Sequence, residues 1–302
     1  MMSEAPRLDH VLAATDLSTP ARRAALRAAR VARATGAALT LQHTISRPAL
    51  DELRHWVGLH APAEAALREA ARRELRALAD TLERRLHAAV DARVDCGDVA
   101  HAIAAAADAL DAGLVVIGAR GAGTLRRLLL GSTASRLLRA SRRPLLVVRR
   151  YPRTGYRKLL VPVDFSPFGA AAIKLARCIA PDAELMLMHA WRLPFEDKLG
   201  FAGVDDATLQ YYRSAGAREA REGLHRLAQE QGLRSGQWTP WLVHGDAGYR
   251  IVEAAAEHTV DLIAIGKHGR NRTEELLLGS VTEHVLAEAK VDLLLATVPS
   301  GA

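Results

Sequence analysis

Two stretches of the chain carry the same spaced residues, of types suited to holding an anion. "IGARGAGTLRRLLLGS" and "IGKHGRNRTEELLLGS" both spell G-x2-G-x9-G-S. The first copy contributes Gly118, Gly121, Gly131 and Ser132, and the second Gly266, Gly269, Gly279 and Ser280. Glycines permit positive φ and let backbone N–H groups approach a negative group with no β-carbon in the way. A glycine and serine opening a helix add unpaired N–H groups and the positive end of the helix dipole. Together the two parts could hold a polyphosphate. Ordinary explanations compete: glycines end strands everywhere, and Ser280 with Glu283 fits an S-x-x-E capping box that needs no ligand. Ser132 has Ser135 at the matching place, so capping does not cover both copies, and their shared register favours a ligand.

An aspartate precedes each copy. Asp16 in "AATDLS" lies 148 positions before Asp164 in "VPVDFS", the same offset that separates Gly118 from Gly266 and Gly97 from Gly245. His43 and His189 are 146 apart, so small compensating insertions separate the halves, and the chain is a tandem duplication. A carboxylate at the end of a first strand could accept from a ribose hydroxyl or assist a magnesium ion. It could equally cap a helix, because "DLSTP" and "DFSPF" read as helix starts with Pro20 and Pro167 in the first turn. Spacing alone leaves both roles open.

The elements that must position these groups follow from periodicity. In the first half "HVLAAT" (10–15) and "ALTLQHT" (38–44) read as strands around an amphipathic helix closed by Gly36. A charged helix over about 63–89, "ARVDC", a helix over 99–111, "LVVIG" (114–118), a helix from Ser132 and "PLLVVRR" (144–150) complete it. The second half repeats the plan with "KLLVPVD", "AELMLMHA", "WTPWLVHG", "DLIAIG" and "DLLLATV" as strands. Alternating strands and helices predict an α/β fold: two doubly wound, five-stranded parallel sheets of Rossmann-like type. The expected divisions are a domain over 1–150, a linker over 151–156 and a domain over 157–302, packed together because the linker is short.

Composition narrows the function classes. At 302 residues and 49% hydrophobic content the chain can bury two cores of ordinary size. No apolar run is long enough to span a membrane and "MMSEAPRLDH" is no signal segment, so the expected location is cytoplasmic. Cys96 and Cys178 stand alone at non-equivalent positions and read as buried small residues, without a disulfide or thiolate metal site. The net charge of +7 sits in the first half, with 24 basic and 15 acidic residues in 1–150 against 17 and 19 in 151–302. These arginines are scattered along helices and aromatic residues are few, which argues against a nucleic-acid partner. No histidines show the i, i+4 spacing of a helical zinc site. His43 and His189 read as satisfied core or crevice residues, and His55 and His60, in a loop region, are assigned nothing. A G-x4-GKS/T loop and a G-x-S-x-G elbow are absent, so no P-loop ATPase or serine-hydrolase chemistry is encoded.

The doubled glycine motif, the strand-end aspartate, the histidines of "LQHT" and "LMHA", and the closing apolar strand resemble the universal stress proteins in a tandem form. The resemblance covers about 8–150 and 157–299, and the glycine motif is similar to that of the ATP-binding branch. It implies ATP or another adenine nucleotide, with magnesium, as the small-molecule partner. By position it implies nucleotide contacts at Pro162, Val163, Asp164, Ala190, Ile265, Gly266, Gly269, Gly279, Ser280 and Val281. The first-half counterparts are Ala14, Thr15, Asp16, Thr44, Ile117, Gly118, Gly121, Gly131, Ser132 and Thr133. The second copy matches better, since the first has Ala14 where proline is usual and "GARG" without the loop histidine. Lys267, Arg270 and Arg272 could add charge at the phosphates or lie solvated. No catalytic residue is assigned and no dedicated metal site is expected. The expected role is regulation in a stress response, through nucleotide occupancy read by a protein partner. Alternatives are weak ATP hydrolysis or self-phosphorylation at Asp164 or Ser280, and an interaction module with a vestigial first pocket. The resemblance further implies that the two last strands pair around a pseudo-twofold axis, and it leaves a homodimer of whole chains open.

Overall fold

The computed structural model describes residues 8–57, 61–120, 131–193, 196, 204–269 and 278–298. In the first half the order is β1 (His10–Ala14), α1 (Thr19–Thr35), β2 (Ala38–Ser46), α2 (Arg47–Val57), α3 (Ala61–Leu86), β3 (Val90–Gly97), α4 (Val99–Ala109), β4 (Leu114–Gly118), α5 (Ser132–Ala140) and β5 (Leu145–Val148). In the second it is β6 (Lys158–Pro162), α6 (Pro167–Ile179), β7 (Glu184–Trp191), α7 (Asp206–Glu230), β8 (Trp238–His244), α8 (Ala247–Glu257), β9 (Leu262–Gly266), α9 (Ser280–Glu288) and β10 (Asp292–Ala296).

Local chemistry explains the boundaries. Ser18 caps α1 by accepting from the Ala21 N–H, Pro20 fits the first turn, and Gly36 closes the helix at φ 74°. Asp98 and Asp246 cap α4 and α8 in the same way. Each follows a glycine of positive φ, Gly97 at 157° and Gly245 at 131°, which explains why "CGD" and "HGD" kept their glycine through the duplication.

All ten strands form one sheet, in the order β3-β2-β1-β4-β5-β10-β9-β6-β7-β8. Each half is doubly wound and parallel, and β1 and β6 each lie beside the fourth strand of their own half. The halves meet where β5 and β10 pair antiparallel, Leu146 opposite Leu294. This matches the expected pairing of the last strands. The inner strands are buried on both faces, because α1, α3, α6 and α7 cover one side and α4, α5, α8 and α9 the other. The outermost strands β3 and β8 are only half-buried, and Pro240 is tolerated in β8 because that strand is an edge.

A buried polar cluster fastens the seam, and it is not legible from spacing. Asp292, fully buried, accepts from the N–H groups of Arg149 and Arg150 at 2.8 and 3.0 Å and from the Tyr156 hydroxyl at 2.8 Å. Arg27 pairs with the same carboxylate at 3.4 Å, and its guanidinium lies 3.9 Å over the Tyr156 ring. Residues 149–156 are thereby tied to both halves.

Three expectations need correction. His55 lies in α2 instead of a loop, and α3 spans Ala61–Leu86 instead of about 63–89; His60 falls outside the described residues. Cys96 and Cys178 are half-buried instead of buried, and neither is in a disulfide. Among the described residues no helix is long and apolar enough to cross a membrane.

Candidate functional site

The turn after β6 builds the acidic part of the site. Asp164 Oδ1 accepts from the Ser166 N–H at 3.1 Å and from its hydroxyl, and Asp16 receives Ser18 in the same way after β1. Ser18 and Ser166, not the aspartates, occupy the N-cap positions of α1 and α6, which corrects the cap reading of Asp16 and Asp164. Between aspartate and serine sit Leu17 and Phe165, at φ 65° and 62°. Left-handed backbone at a bulky residue costs on the order of 1–3 kcal/mol and persists only where neighbours impose it. The second-strand histidines are such neighbours: His43 Nδ1 lies 2.9 Å from the Thr15 carbonyl and His189 Nδ1 2.7 Å from that of Val163. Phe165 also packs on His189 with ring centres 4.3 Å apart. A β-carbon at Gly223 of α7 would come within 2.9 Å of the Phe165 ring. His43 and His189 are thus satisfied residues, as expected, that hold the turn.

The glycines divide by cause. A β-carbon at Gly266 would lie 2.6 Å from that of Phe168, so packing requires glycine there, and one at Gly118 would crowd the Arg120 carbonyl at 3.1 Å. At Gly269 a β-carbon would meet Asp164 Oδ2 among the described residues, at 3.1 Å. At Gly279 the nearest atom would be the Gly269 nitrogen at 3.6 Å, an ordinary contact, and the backbone there is extended at φ −64° and ψ 144°. Among the described residues, neither crowding nor conformation requires glycine at 279. None of Gly118, Gly131, Gly266, Gly269 or Gly279 has positive φ, contrary to one expectation; Gly121 lies outside the described residues.

Gly131 and Gly279 are themselves the N-caps of α5 and α9, and neither cap makes a side-chain bond. Ser132 and Ser280 are therefore the first helical residues. The Ser280–Glu283 capping box does not form, because the Glu283 N–H bonds to the Gly279 carbonyl as the helix begins. Buried Thr282 instead ties α9 back to the end of β9 through a 2.9 Å bond to the Gly266 carbonyl. Ser132, Thr133 and Ser280 are exposed, and Val281 is half-buried.

Register places the remaining candidates. Ala14, Thr15 and Asp16 end the strand between β2, which carries Thr44, and β4, which carries Ile117 and Gly118. Pro162, Val163 and Asp164 likewise stand between Ala190 of β7 and Ile265 and Gly266 of β9. Among the described residues the Thr44 hydroxyl oxygen is buried with no hydrogen-bond partner, as is Gln42 Oε1 one residue pair deeper on the same strand face. Their second-half counterparts are Met188 and Ala190, so the two floors differ in polarity.

Lys267 does not stand at the phosphate position. The residue is 4% exposed, and its ammonium donates to the Ser141 carbonyl at 2.8 Å and the Arg139 carbonyl at 3.3 Å, at the end of α5 in the other half. Arg270 and Arg272 fall outside the described residues. The described residues hold no cluster of three or more histidine, cysteine, aspartate or glutamate side chains that could hold a metal.

Two doubly wound units joined edge to edge, each with an aspartate turn and a glycine loop at its switch point, define a tandem Rossmann-like protein. Comparison with known families makes the class specific: the chain belongs to the universal stress protein family, whose model matches residues 7–149 and 155–297. A universal stress protein of Mycobacterium tuberculosis is 28% identical over 192 residues, 62% of this chain and 62% of that protein. The match thus spans under two thirds of the mycobacterial relative. One from Methanocaldococcus jannaschii is 28% identical over 151 residues, 46% of this chain and 93% of its own. The crystal structure of a universal stress protein from Archaeoglobus fulgidus DSM 4304 is 18% identical and covers 95% of this chain and 98% of its own, with a TM-score of 0.70. At that identity the likeness speaks for the fold.

Proposed function

We propose that the chain binds an adenine nucleotide, ATP first among them, at the carboxyl ends of β6, β7 and β9, with a second site over β1, β2 and β4. One observation carries the proposal. Among the described residues, Gly269 lies against Asp164 Oδ2, a β-carbon at Gly279 would make ordinary contacts alone, and Gly279 opens α9 with no side-chain cap bond. Pro162, Val163 and Ala190 would face the nucleoside, Asp164 the ribose hydroxyls or a magnesium ion, and Ile265, Gly266, Gly269, Gly279, Ser280 and Val281 the ribose and phosphates. A magnesium ion would rest on one carboxylate and the phosphates themselves.

In the first half Ala14, Thr15, Asp16, Thr44, Ile117, Gly118, Gly121, Gly131, Ser132 and Thr133 would take the same parts. The unpaired buried hydroxyl of Thr44 supports a working first site over a vestigial one, since such an atom is costly unless water or a ligand meets it. Occupancy would regulate by shifting the arrangement that a protein partner reads, which requires different affinity for the two arrangements. The test is calorimetric titration of nucleotide-stripped protein with ATP and magnesium, followed by chromatography of the recovered nucleotide. Saturable binding with ATP recovered unchanged supports a sensor. Steady release of ADP would assign an ATPase instead.

A further inference from the structure

We infer that Lys267 is a positioning residue that makes the second half's glycine loop depend on helix α5 of the first half, and so couples the two candidate sites. The inference rests on the nucleotide reading only for its consequence, and the contact itself stands on geometry. Lys267 lies inside the motif, between Gly266 and Gly269. Its N–H donates to the Ala296 carbonyl at 2.8 Å, and its carbonyl accepts from the Gly279 N–H at 3.2 Å. Its backbone therefore joins the end of β9, the last strand and the cap of α9. Its side chain leaves this loop for the other half and donates to the Arg139 and Ser141 carbonyls. Those carbonyls belong to the C-terminal end of α5, where a helix leaves acceptors unpaired and its dipole is negative. A buried ammonium between two such carbonyls is a strong, directional tie.

The other end of α5 is Gly131 and Ser132, the motif of the first site. One rigid helix thus runs from the candidate phosphate position of the first site to the loop of the second. The duplication does not repeat the device, because the residue matching Lys267 is Ala119. The end of α9 is met by another residue type from another place, with Arg149 donating to the Leu286 carbonyl. The second glycine loop is therefore held across the seam by the side chain of Lys267, and disturbance of α5 should reach it through that residue.

A double-mutant cycle in the full-length chain tests this, read by amide hydrogen exchange over residues 264–269 without nucleotide. Lys267→Met keeps the length and removes the donor. Arg136→Gly loosens α5 at an exposed position whose ion pair is with Asp98 of the first half. Lys267→Met should raise exchange over 264–269 roughly tenfold. Arg136→Gly should raise it several-fold in the wild-type background and add nothing in Lys267→Met, the signature of coupling through one contact. Equal effects of Arg136→Gly in both backgrounds, or unchanged exchange in Lys267→Met, would overturn the inference. ATP titration of the same proteins gives the functional arm: second-site affinity should fall about tenfold in Lys267→Met, although the ammonium points away from the site. A lower melting temperature with unchanged exchange and affinity would reduce Lys267 to a structural tie. Should wild-type protein bind no ATP, the nucleotide proposal falls while the exchange cycle still decides this one.

Discussion

At the scale of single residues, the candidate site divides into groups that serve the fold and groups with no internal employment. Gly266 serves the fold, since a β-carbon there strikes Phe168, and Gly118 does so in part, since one there crowds the Arg120 carbonyl. Among the described residues, Gly279 and the Thr44 hydroxyl have no such duty, and a β-carbon at Gly269 would crowd Asp164 Oδ2, a side-chain oxygen of the candidate site itself, at 3.1 Å. Gly269→Val should therefore leave the fold intact while lowering second-site ATP affinity at least tenfold by calorimetry, and an unchanged isotherm would count against the site. Thr44→Val separates two energies of opposite sign. It removes a buried, unpaired hydroxyl, so the nucleotide-free protein should be as stable or up to about 1 kcal/mol more stable in denaturant melts. First-site affinity should fall in the same variant, and a loss of stability instead would mean that the hydroxyl has a structural partner. The aspartates and glycines were legible because duplication preserved them at one offset. The strained turn was not, because nothing in the side chains of Leu17 or Phe165 announces a positive φ; histidine latches from a neighbouring strand impose it. Lys267 misled for a similar reason, since a lysine beside glycines suggests phosphate until the other half is seen to supply its acceptors.

At the scale of elements, strand and helix order were legible because inner strands of a doubly wound sheet are nearly continuous apolar runs. What periodicity did not separate was α2 from a loop, where eleven residues follow β2 directly. The β5–β10 pair is the decisive contact between halves. Leu294, opposite Leu146 and fully buried, should not tolerate charge. Leu294→Lys should cost about 1.5–3 kcal/mol from lost burial, with a further charge penalty, and melt earlier. An unchanged transition would contradict the pairing. Tyr156 gives a prediction in pH. Burial first, and then the Asp292 carboxylate, push its phenol well above the ordinary range. A folded-state value above the unfolded value of about 10 means stability is intact below that pH and is lost as pH rises past it. Denaturant melts between about pH 8 and 11 should show this alkaline loss in the wild type. In Tyr156→Phe the alkaline loss should shrink, with a pH-independent deficit of about 1.5–3 kcal/mol from the missing bond to a charged acceptor. An identical pH profile in both proteins would show that Tyr156 does not govern it.

At the scale of the whole molecule, duplication produced a continuous ten-stranded sheet with two candidate sites facing unequal surroundings. The first has a polar floor at Gln42 and Thr44, the second an apolar floor at Met188 and Ala190, and Lys267, which anchors the second glycine loop across the seam, is matched by Ala119 in the first. These asymmetries arise where the two halves no longer share a residue, which is why the matching motifs predicted two like sites. The central claim remains that both hold an adenine nucleotide. The most direct measurement is calorimetric titration of stripped wild-type protein with ATP and magnesium, beside Gly269→Val and Gly131→Val. The account predicts saturable binding at two sites per chain, one removed by each substitution. No saturable heat at ATP concentrations up to about 1 mM, where even a weak site of about −4 kcal/mol would fill by half, would contradict it.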